Sequence, residues 1–131
     1  MCAASFALDC FGQNTNVVAS EVNKAASESL KTYRGHGVAG LQGAVVECWL
    51  QPRDFCLYLD VASQRIVATA NRSGTAVDKY FYRSKCLDRA HGWLSLSARS
   101  SKANVQYLQA VEQMMESILT SQQEKMSRTS Q

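Results

Sequence analysis

The chain has 131 residues, 46% hydrophobic and 19% charged, with a formal net charge of +3. That length suits one domain, and the composition is ordinary globular material, well away from the disordered regime. No run approaches the roughly 20 apolar residues of a membrane helix. The start, Met1 to Asp9, has no basic leader, so an intracellular, cytoplasmic setting with no membrane partner is expected.

Residues 1–14 show no sustained period and read as a poorly ordered segment ahead of a single domain over 15–121. From Thr15 onward, Val18, Val22, Ala25, Ala26, Leu30 and Tyr33 recur every three or four residues, which predicts a first helix. Asn14, Thr15 and Asn16 are its candidate N-caps, and Gly35 and Gly37 are expected to end it.

The period then changes to two. Ala44, Val46, Cys48 and Leu50 alternate as one apolar face of a first strand, and Gln51-Pro52-Arg53-Asp54 reads as a turn. Phe55, Leu57, Leu59 and Val61 alternate as a second strand, and Arg65 to Ala70 forms a third, rich in β-branched residues. Such short connections imply antiparallel neighbours. Asn71 to Thr75 is a loop, and its Asn71-Arg72-Ser73 triplet is taken as a chance glycosylation match. Residues 76–89 fit a strand or a short helix. Trp93 to Ala98 alternates as a further strand, with Leu96 expected in the core beside Leu57 and Leu59. Ser100 and Ser101 cap a long final helix with the stripe Val105, Leu108, Val111, Met115, Ile118 and Leu119, and residues 122–131 form a frayed polar tail. The predicted fold class is α+β: an antiparallel β-sheet of about four to five strands, flanked by an N-terminal helix and a long C-terminal helix.

That order of elements resembles, in outline, the class I chaperones of bacterial type III secretion and the Alu-domain proteins of the signal recognition particle. The first would imply a dimer that binds protein segments, the second a grip on RNA. No motif carries either resemblance, and no family is assigned.

Five cysteines, Cys2, Cys10, Cys48, Cys56 and Cys86, form no C-x-x-C pair. An odd number without a secretory leader predicts five free thiols. Gly35-His36-Gly37-Val38-Ala39-Gly40 has dinucleotide-fingerprint spacing, but a helix precedes it and a strand is expected to follow, the reverse of what that fingerprint needs. His91, close to Asp88, has no nucleophile at a triad-like spacing. No catalytic residue, metal or cofactor is expected.

Charge is the informative feature. Residues 1–60 carry four basic and six acidic side chains, residues 61–131 ten and five. The excess lies between Arg65 and Lys102, where Lys79-Tyr80-Phe81-Tyr82-Arg83-Ser84-Lys85 mixes cations with rings as nucleic-acid surfaces do. The last helix carries Met114 beside Met115, adaptable side chains that suit a partner surface. These features predict a non-enzymatic protein-interaction or assembly domain, a subunit of a larger complex or a chaperone-like homodimer. The alternative is an RNA-binding module using residues 65–102. The candidate partner-binding residues are Met114, Met115, Ile118, Lys79, Arg83 and Lys85.

Overall fold

The computed structural model of the chain describes residues 17–70 and 79–129, and four helices account for its regular structure: α1 (Ala19–Trp49), α2 (Asp54–Ala70), α3 (Arg83–Leu94) and α4 (Ser101–Thr129). No strand occurs among the described residues. The expected α+β fold is thereby corrected to an all-helical one, and the outline resemblance to the two α+β families falls with its strands.

α1 begins where its stripe predicts, with Val22, Ala25, Ala26, Ser29 and Leu30 buried. Its N-cap is Val18, which offers no side-chain cap; the expected caps Asn14 to Asn16 lie outside the described residues, as does the segment 1–14. Gly37 adopts φ 67° and ψ −160°, a conformation that Cβ-bearing residues avoid. It interrupts α1 without ending it. A straight helix of 31 residues would span about 46 Å. Yet the Val18 amide donates to the Tyr58 hydroxyl (3.3 Å) while Trp49 Nε1 donates to Asp60 Oδ2 (3.0 Å), so both ends of α1 meet the first turns of α2. The helix folds back on itself at Gly37, and its second arm buries Leu41, Val45 and Cys48. Just past the bend, Gly40 passes the His36 side chain so closely that an added Cβ would overlap it.

α2 is the central helix. Every residue from Cys56 to Gln64 is buried, followed by Ile66 and Val67. A helix covered on all sides has no polar face, so the 3.6-residue period that would identify it is absent. The alternation of Phe55, Leu57, Leu59 and Val61 is what remains, and it imitates a strand. Leu57 and Leu59 are buried as expected, but Leu96 is 77% exposed in the link before α4, so the expected trio in one core does not form.

The ends of the elements fix their directions. Trp93 near the end of α3 donates to Asp54 at the start of α2 (2.8 Å), and Arg89 meets Asp60, so α2 and α3 are antiparallel. Tyr58 meets Tyr107 (2.8 Å) and Arg65 meets Glu116, so α2 and α4 are parallel. Ser100 caps α4 as predicted, its Oγ accepting from the Ala103 amide (3.1 Å). Of the expected stripe, Leu108, Val111, Met115 and Leu119 are buried, Ile118 is half-buried and Val105 is exposed. α4 continues to Thr129, through most of the segment read as a tail.

A disulfide joins Cys48 to Cys56 with a Cα–Cα distance of 5.5 Å, tying the end of α1 to the first turn of α2. Cys86 is a buried free thiol, and Cys2 and Cys10 lie outside the described residues. The expectation of five free thiols is therefore corrected, and with it goes the ground for placing the chain in a reducing compartment. The Asn71 triplet also lies outside the described residues. No described helix is long and apolar enough to cross a membrane.

Candidate interaction surface

A buried carboxylate organises a closed polar network between α1, α2 and α3. Asp60, on α2, is 2% exposed. Arg89 of α3 grips it with both edges of its guanidinium, Nε to Oδ2 at 2.6 Å and an η nitrogen to Oδ1 at 2.8 Å, and Trp49 of α1 adds its indole N–H. The guanidinium also lies 3.8 Å from the centroid of the Tyr80 ring. Burial works against charge on Arg89, but the hydrogen bond and field of Asp60 outweigh it and leave the pKa raised. Burial, reinforced by the Asp60 carboxylate, pushes the neighbouring Cys86 thiol well above its ordinary value. A thiol held protonated is a poor nucleophile. The carboxylate's partners all come from the chain itself, which makes the network a staple between three helices.

A second cluster closes the base of the bundle. The Tyr58 and Tyr107 hydroxyls share a hydrogen bond, and burial raises both phenols above their usual range. Arg99 lies 4.4 Å from the Tyr107 ring centroid. Among the described residues no three His, Cys, Asp or Glu side chains are placed to hold a metal ion. His36 and His91 are both exposed, and the Gly35–Gly40 fingerprint spacing sits at the α1 bend, with helix on either side.

The expected partner-binding residues separate into two groups. Met115 is fully buried, and Met114 and Ile118 are half-buried against the same core, so these three side chains serve the chain's own packing. Lys79, ahead of α3, and Lys85, in its first turn, are exposed, whereas Arg83 is bound by both carboxylate oxygens of Glu112 at 3.0 Å. Of the other described cations of segment 65–102, Arg65 meets Glu116, Arg89 meets Asp60 and Arg99 lies over Tyr107, while Lys102 is exposed. Arg72 lies outside the described residues.

The surface that sequence reading missed is the outer face of the second arm of α1. Leu41, Val45 and Cys48 point into the core, and Ala39, Gly43, Val46 and Leu50 are exposed opposite them. Val46 is 43% exposed and Leu50 75%. From Gly35 to Val46 the sequence holds no Asp, Glu, Lys or Arg. An exposed helix face normally carries such residues, and their absence here was the available signal. Beside this face lies an open groove of about 510 Å³ between the arms of α1 and α2, lined by Ala44, Leu50, Phe55 and Leu59 with Glu28, Glu47 and Arg53 at its polar margins. Phe55 is flanked by Lys24 and Arg53, 5.6 and 5.8 Å from its ring centroid.

Comparison with protein-family models, with curated proteins and with solved structures finds no match.

Proposed function

We propose that this chain is a non-enzymatic helical interaction domain that docks on protein rather than on nucleic acid. The observation that carries this reading is the outer face of the second arm of α1, where Val46 and Leu50 stand exposed in a stretch almost devoid of charge. Contiguous apolar surface of this kind marks interaction sites on soluble proteins. The alternative, an RNA-binding module, loses support from the fate of its arginines. A phosphate contact needs a cation that can exchange a counterion for it. Arg65, Arg83 and Arg89 each already face a carboxylate of the same chain.

Titration of labelled single- and double-stranded RNA and DNA oligomers with the full chain, read by fluorescence anisotropy over a salt series, tests the reading. Binding at 150 mM salt is expected to stay in the non-specific regime, on the order of 10–100 µM or weaker. Submicromolar binding that falls steeply with salt and is lost on replacing Lys79, Arg83 and Lys85 by Ala would overturn it in favour of a nucleic-acid module.

A further inference from the structure

We propose that the exposed face of the second α1 arm pairs with the same face of a second copy of this chain, the two arms running antiparallel. The proposal rests on the protein-docking reading above and names its partner. Ala39, Gly43, Val46 and Leu50 are spaced by four, three and four residues, the seam spacing of two helices that pack along their length. The order of sizes along the seam selects the partner. Its first two positions are small and its last two are large. In an antiparallel pair centred between Ala44 and Val45, Leu50 of each copy lies over Ala39 of the other, and Val46 over Gly43. Large side chains then enter spaces left by small ones. A parallel pair would instead set Leu50 on Leu50 and leave an empty gap between the two Gly43 positions.

Charge points the same way. Glu47 flanks the seam and is the single charged residue between Gly35 and Pro52. Parallel pairing would place the two Glu47 side chains at one height. Antiparallel pairing separates them by about five residues, or about 7–8 Å along the axis. No strong charge on the seam selects an acidic or a basic partner, whereas its own size gradient fits itself. At Gly43 a Cβ would meet nothing within 4 Å among the described residues, as is also the case at Gly35 and Gly92, so the seam leaves room at this position for the approach of another backbone. The seam is short, so the interface belongs at the low end of specific contacts.

Sedimentation equilibrium of the full chain is expected to show a reversible dimer whose share rises over roughly 10 µM to 1 mM, the regime of small interfaces. The double substitution V46E/L50E, at two exposed positions, should leave the circular dichroism unchanged and shift the dimer midpoint at least about tenfold, the effect of losing 1.4 kcal/mol. Orientation is read by cysteine cross-linking in a Cys2→Ser/Cys10→Ser background. A39C/L50C should give a covalent dimer and L50C alone should not, because antiparallel pairing holds the two 50 positions about 16 Å apart along the axis. A monomer throughout that range, a dimer indifferent to V46E/L50E, or efficient L50C dimers would overturn the proposal. These results leave the protein-docking reading standing, since only the nucleic-acid titration bears on it.

Discussion

The second arm of α1 and the stretch of α2 from Cys56 to Gln64 are both segments poor in charge, and the bundle treats them in opposite ways. α2 is enclosed: its residues from Cys56 to Gln64 are buried, and even its carboxylate, Asp60, is matched by Arg89 and Trp49. The α1 arm is enclosed on one side. Leu41, Val45 and Cys48 meet the core, while Val46 and Leu50 face outward with no residue of the described chain covering them fully. Sequence hydrophobicity records how much apolar surface a segment has, and says nothing about which molecule will cover it. For α2 the cover is the chain itself. For the α1 arm it is, on the reading above, another chain.

The contrast can be broken most forcefully at Asp60. If α2 is a closed structural core, then Asp60→Ala should destabilise the fold by about 3 kcal/mol, the low end for a broken buried pair, because it leaves the half-buried Arg89 guanidinium without its carboxylate. Urea denaturation followed by circular dichroism measures the loss. A cost below about 1 kcal/mol would mean that Arg89 escapes readily to solvent and that the staple between α1, α2 and α3 is unimportant. The matched pair on the surface supplies the scale: removing Arg83 from Glu112, with Arg83 more than half exposed, should cost no more than about 1 kcal/mol.

How far these two regions were legible follows from the same contrast. The first arm of α1 and α4 each have one buried and one solvated face, so Val22, Ala25, Leu30 and Leu108, Val111, Met115 announce helices by spacing alone. α2 carries no such signal, and a short apolar run bounded by turn residues fits a strand equally well. Trp93 to Ala98 misled for another reason: Trp93 and Leu94 close a helix, and Leu96 belongs to an exposed link, so the alternation joins unrelated environments. The Asp60–Arg89 pair joins residues 29 apart and has no local signature. Its one trace is a lone carboxylate inside Leu57-Tyr58-Leu59-Asp60-Val61, which a buried helix can hold only with a partner. The Gly35–Gly43 stretch was visible too, but reading Gly37 as a stop hid the helix beyond it.

The two regions are also joined covalently, which permits a smaller test. The Cys48–Cys56 disulfide closes a loop of about nine residues, so the chain-entropy estimate for C48S/C56S is a loss of about 2–3 kcal/mol. Calorimetry of the double variant checks this. Alkylation of the unfolded chain without reductant should label Cys86 and leave Cys48 and Cys56 unlabelled. Labelling of both would show them reduced, and the end of the α1 arm would then be held to α2 by Trp49 on Asp60 and by packing, without the covalent tie.

The smallest expected effect separates the bend of α1 from the outer face of its second arm, through two glycines three residues apart. At Gly40 an added methyl overlaps the His36 side chain just past the bend, so Gly40→Ala should cost about 1–3 kcal/mol, as overpacking does. At Gly43 the same methyl meets open space, and the backbone is helical, so Gly43→Ala should stabilise the single chain by about 0.5–1 kcal/mol. Thermal unfolding at low micromolar concentration reads both values where self-association contributes least. A destabilising Gly43→Ala at that dilution would mean that the outer side is already occupied within one chain. A stabilising one leaves the glycine unexplained by the monomer, and repeating the measurement at high concentration then asks what does explain it. If the added methyl stabilises the dilute chain while weakening its dimer, the cost of glycine at position 43 is borne for the approach of Val46 from a second copy.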